Sequence, residues 1–112
     1  MLFAKKEENK NNEVSNEVPK ARVEIRRHFI FRGRVQGVGF RYRASYVARA
    51  RDITGWIKNN WDGSVEMEAQ GTEKRINKMI DVLNEDRFIR IEEMDVKDIP
   101  IVEDEYGFHV RG

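Results

Sequence analysis

Cysteine is absent from all 112 residues, which removes disulfide scaffolds, thiolate zinc sites and thiol nucleophiles together. Histidine is almost as scarce. His28 and His109 each fall in a strand-like pattern and have no metal-ligand spacing, so neither reads as a ligand or a catalytic base. No apolar run approaches the length that crosses a bilayer. The opening Met1-Leu2-Phe3-Ala4 turns polar at Lys5, too short for the apolar region of a signal peptide. With no contrary signal, the expected location is cytoplasmic, with no membrane partner. A net charge of only +1 argues against a protein built to grip long nucleic acid non-specifically.

What is present suits one modest domain. Apolar residues make up 39% of the chain and charged residues 37%, enough for a core under a well-solvated surface. The charge is unevenly spread. Residues 1–22 carry +1, residues 23–51 carry +7 from eight arginines and one glutamate, and residues 52–112 carry −7. Such a block suggests a local anion site. It is equally what results when arginines fold against later acids.

Residues 1–22 are rich in Lys, Glu and Asn and lack periodic apolar positions, so they are expected to form a disordered tail. The folded unit is expected over residues 23–112. Val23, Ile25, Phe29 and Phe31 recur at the period of a half-buried strand. Gly33 to Gly39 reads as a loop with three glycines. Phe40, Ala44, Val47 and Ala48 then fall at helical spacing, predicting a helix from near Gly39 to Arg51. A strand over residues 53–57 and another with Val65, Met67 and Ala69 flank Asp62-Gly63, a hairpin signal. Thr72 is a candidate N-cap for a second helix striped by Ile76, Met79, Ile80 and Leu83. Ile89, Ile91, Met94 and Val96 suggest a fourth strand whose change of phase implies a bulge, and Phe108 and Val110 a short fifth. The order is that of an α+β, ferredoxin-like β-α-β-β-α-β sandwich, an antiparallel sheet with two helices on one face and a short extra C-terminal strand.

Two stretches carry chemistry. In Gly33-Arg34-Val35-Gln36-Gly37-Val38-Gly39-Phe40-Arg41, glycines between a strand and a helix let backbone N–H groups converge beside the positive helix end. Arg41, in the first turn, can add a planar fork that grips a phosphate in two places. A solvated Arg41 after an ordinary glycine-rich turn is the other reading. In Gly55-Trp56-Ile57-Lys58-Asn59, the Asn59 amide at a strand end could hold a water in place. Equally, Asn59 and Asn60 suit a turn. Trp56 reads as packing, Trp61 as an exposed turn residue, and Glu66 and Glu68 as solvated groups on a polar strand face.

These stretches, followed by Asp62-Gly63-Ser64-Val65-Glu66, resemble the acylphosphatase family from about Phe29 to Val110, most strongly from Gly33 to Gly71. The resemblance implies a hydrolase of small acyl phosphates, with no metal or cofactor. It implies that Val35, Gln36, Gly37, Val38, Gly39, Phe40 and Arg41 bind the substrate phosphate, Arg41 through its side chain, and that Asn59 orients the water. Glu85-Asp86-Arg87-Phe88 replaces the Gly-Pro that relatives often carry, and the last residues lack their terminal aromatic. The chain is expected to act as a monomer without nucleic acid. One rival is a binding module, since Gly-Val-Gly-Phe-Arg-Tyr loosely echoes an RNA-recognition motif. Another is an inactive or carbamoyl-phosphate-handling relative.

Overall fold

A computed structural model describes Pro19 and residues 22–112. The tail expected over residues 1–22 therefore lies, but for Pro19 and Arg22, outside the described residues. Strand β1 (Glu24–Arg34) leads through a loop into helix α1 (Phe40–Ala50), then β2 (Thr54–Asn59), β3 (Val65–Thr72), helix α2 (Glu73–Asn84), β4 (Arg90–Ile99) and β5 (Phe108–Arg111). The sheet order is β4-β1-β3-β2-β5. The four longer strands pair antiparallel as expected, whereas β5 joins β2 in parallel.

Alternation places the core. Phe29, Phe31, Ile57, Val65, Met67 and Ala69 are buried and share one sheet face, since Phe29 stands opposite Met67 and Ile57 opposite the same residue. The helices cover that face with Phe40, Ala44, Val47 and Ala48 from α1 and Ile76, Met79, Ile80 and Leu83 from α2. Thr72 caps α2 as expected, its side chain accepting from the Arg75 amide. Phe31 meets Phe40 edge to face at 5.1 Å between centroids, which clamps the start of α1 onto β1.

The phase change in β4 is a bulge: Arg32 stands opposite Glu93, but Gly33 opposite Ile91. Gly33 thus belongs to β1 rather than to the following loop. A Cβ there would lie 2.3 Å from the Arg90 carbonyl oxygen, so close strand approach is the reason for this glycine. Met94 and Val96 are more exposed than their alternation suggested, because β4 is an edge strand and the two helices cover the inner strands.

Among the described residues, four of the eight arginines in residues 23–51 pair internally. Arg26 binds Glu68 and Glu105, Arg27 binds Glu73 and Asp98, Arg32 binds Asp95, and Arg43 lies 3.7 Å from Asp86. Glu66 and Glu68 are therefore not simply solvated. Each is half-buried on the open sheet face, Glu66 with His28 at 2.6 Å and Glu68 with Arg26 at 2.8 Å. Cross-strand neighbours across β1 and β3 cause this.

Candidate active site

The loop of residues 35–39 is anchored at both ends by burial. Val35 and Phe40 are each 1% exposed, so the backbone between them has little freedom to drift. Gly37 and Gly39 have φ of 75° and 78°. A Cβ on either would meet nothing within 4 Å, so conformation rather than room requires glycine here. Gly39 is also the N-cap of α1 and, having no side chain, leaves the first helical amides without a side-chain acceptor. Among the described residues, the amides of residues 36–42 make no backbone hydrogen bond.

Asn59 ends β2 opposite Val65, which sends its side chain to the helix-covered face, beneath the start of α1. There a cavity of about 130 Å³ is lined by Val35, Gly37, Gly39, Phe40, Arg41, Tyr42 and Asn59. Asn59 Oδ1 is buried and has no hydrogen-bond partner among the described residues. A buried acceptor left without a donor is costly, so it calls for a donor such as a water. A larger depression of about 670 Å³ lies over Glu73, Lys74, Asn77, Lys78 and Asp81. All of those sit on one helix with mixed charge, and no second element converges on them.

Arg41 borders the cavity half-buried, with Nη1 donating to the main-chain oxygens of Arg111 at 3.0 Å and Gly112 at 3.1 Å. Its Nε and Nη2 donors have no partner among the described residues, nor does the group make an ion pair there, unlike Arg26, Arg27, Arg32 and Arg43. Among the described residues, a guanidinium with two donor nitrogens free, beside unbonded amides at a helix N-terminus, forms an anion-binding concavity.

Most of the expected site residues meet here: Val35, Gly37, Gly39, Phe40, Arg41 and Asn59 line one cavity. Gln36 and Val38 do not line it. Val38 packs toward the core, and Gln36 Nε2 donates to the carbonyls of Asn60 at 2.7 Å and Ser64 at 2.8 Å. That side chain ties the loop to the β2–β3 turn. Sequence reasoning missed this tether, the C-terminal carbonyls behind Arg41, and Tyr42. Only Tyr42 had a local signal, since a side chain in the first helical turn leans back toward the N-terminus.

The other candidates stand apart. His28 bonds Glu66, His109 bonds the Tyr106 carbonyl, and neither lines the cavity. Trp56 carries the Arg111 guanidinium 4.7 Å from its ring centroid, and Trp61 is 99% exposed on the hairpin turn. The stretch that echoes an RNA motif lies in the loop and helix with Phe40 in the core, not on the sheet strands that such modules use for stacking. Among the described residues no group of three or more His, Asp or Glu side chains could hold a metal ion, and no helix is long and apolar enough to cross a membrane.

Comparison with known proteins identifies the family and the fold. The acylphosphatase family model matches residues 27–110. An acylphosphatase of Geobacillus thermodenitrificans is 43% identical over 84 residues, covering 74% of this chain and 89% of its own. The crystal structure of acylphosphatase from Bacillus subtilis superposes with a TM-score of 0.73 at 31% identity, over 79% of this chain and 99% of that one. Full-length HypF, in its phosphate- and nucleotide-bound form, gives a TM-score of 0.73 at 27% identity over 87% of this chain but 12% of its own. The chain belongs to the acylphosphatase family.

Proposed function

We propose that the protein hydrolyses the carboxyl–phosphate bond of small acyl phosphates, releasing a carboxylate and inorganic phosphate, with Arg41 and Asn59 as its catalytic residues. The observation that carries this reading is the cavity itself. One small space joins a guanidinium with donors to spare, loop amides without a backbone partner and a buried amide oxygen without a donor, all among the described residues.

The phosphate enters the loop of residues 35–40 and is held by backbone N–H groups and the free edge of Arg41. Asn59 Oδ1 accepts a hydrogen bond from a water and aims its oxygen at phosphorus. Attack in line forms the new P–O bond as the bond to the acyl oxygen breaks. The carboxylate is a good leaving group and departs without protonation. One water proton passes to a phosphate oxygen of the substrate, so no protein base is required. The protein contributes position and stabilisation of the equatorial oxygens, the main resources in phosphoryl transfer. No metal, cofactor, nucleic acid, membrane or second chain enters this scheme.

The test is benzoyl phosphate turnover with a chelator present. Wild type is expected to be active. Arg41→Gln is expected to abolish turnover and weaken competition by inorganic phosphate. Asn59→Ala should abolish turnover while phosphate still binds, because it removes the water's acceptor and leaves the cradle. Near-normal turnover by Asn59→Ala refutes the role given to that amide.

A further inference from the structure

We propose that Tyr42 is the acyl-group subsite of this enzyme and selects aromatic acyl phosphates over small aliphatic ones. The proposal rests on the acyl phosphate reading above and adds the substrate's other half.

Position gives the first step. On the reading above, the phosphate lies against the loop amides and Arg41, and the attacking water against Asn59. In-line attack places the acyl oxygen opposite that water, so the acyl skeleton points away from Asn59 and toward the mouth. Whatever side chain borders the mouth then decides which skeletons are favoured.

Few side chains are available there. Gly37 and Gly39 have none, while Val35 and Phe40 line the cavity but are turned into the core at 1% exposure each. Arg41 and Asn59 are committed to the phosphate and the water. Tyr42 is the one remaining lining residue, and it keeps 68% of its surface exposed. Its position in the first turn of α1 leans the ring toward the loop. The Arg41 guanidinium carbon lies 5.8 Å from the ring centroid, within cation–π range, which holds the ring beside the phosphate-binding group. Tyr46 follows one turn later on the same stripe, 69% exposed, and lengthens the aromatic strip leading from the mouth. A flat acyl group bonded to a phosphate in the cradle can lie against this ring. An acetyl-sized group is too short to cover it.

The experiment measures kcat/KM for benzoyl phosphate and acetyl phosphate, and inhibition by inorganic phosphate, in wild type, Tyr42→Phe and Tyr42→Ala. Wild type and Tyr42→Phe are expected to prefer benzoyl phosphate. Tyr42→Ala should lose roughly fivefold of that preference, the size of one aromatic contact, with phosphate inhibition near wild type. An unchanged ratio in an active Tyr42→Ala overturns the subsite. So does an equal loss on both substrates with weakened phosphate inhibition, which would mean that the ring only positions Arg41. If wild type hydrolyses neither compound, the acyl phosphate reading itself fails and takes the subsite with it.

Discussion

Gln36 joins the loop of residues 35–39 to the β2–β3 turn through a single amide nitrogen shared by the Asn60 and Ser64 carbonyls. Those carbonyls also accept from the Gly63 and Asn60 amides. Removing Gln36 therefore leaves no oxygen wholly without a donor. Gln36→Ala is expected to cost only about 1 kcal/mol in urea unfolding. Its larger effect should be on the cradle, whose loop would lose the one side-chain tether it has, among the described residues, to the turn that follows Asn59. Phosphate should inhibit the variant less strongly and turnover should fall. A variant with unaltered kinetics would show that the buried ends at Val35 and Phe40 suffice to shape the loop. That Arg41 and Asn59 border one cavity could be anticipated only through the family resemblance, in which each ends a short motif. The tether made by Gln36 could not, because both its partners lie more than twenty residues away and its side chain could as well have faced a ligand.

Among the elements, β5 has a role out of proportion to its four residues. It pairs in parallel with β2, bringing the Arg111 carbonyl to Arg41, and the Gly112 carbonyl follows directly. The Arg111 side chain lies over Trp56 on β2, fastening the end of the strand. Deleting Arg111 and Gly112 removes both acceptors of Nη1 while leaving Phe108 in the core. The expected result is near-native circular dichroism with kcat/KM lowered about tenfold, the scale of one hydrogen bond to a charged group. Unchanged kcat/KM would show that Arg41 needs no such support. The two helices, the hairpin and the β4 bulge could be anticipated because alternation, helical spacing and Asp62-Gly63 are local signals. The parallel pairing of β5 could not. The sign of a strand pair depends on the path taken by residues 100–107, which carries no periodic pattern. Gly33 was misplaced for a related reason, since its glycine answers to the β4 backbone rather than to the loop beside it.

Across the whole molecule, the basic stretch of residues 23–51 and the acidic remainder meet mainly on the sheet, and this predicts how the fold responds to acid. Arg26 is 2% exposed and shared by Glu68, Gln70 and Glu105. A cation so buried depends on its partners. Burial pushes the Glu105 carboxyl up, but hydrogen bonds from Arg26 and Thr54 outweigh it and hold the group below the usual carboxylate range. The hydrogen bond with His28 holds Glu66 down against its burial. A carboxyl whose folded value lies below its unfolded value adds stability above the unfolded value. That stability is lost as the pH falls through the folded one. The thermal midpoint should therefore stay level from neutral pH to the top of the carboxylate range and drop below it. Glu105→Gln should cost roughly 2 kcal/mol near neutrality, less than a fully broken buried pair because Glu68 still holds Arg26. It should also flatten the acid limb, since one of the groups that titrate there is gone. Glu66→Gln, on a half-buried pair, should flatten the limb with a smaller loss at neutral pH. Melting curves of the three proteins from pH 7 to pH 3 measure this. An acid limb equally steep in both variants would place the acid sensitivity outside these two carboxylates.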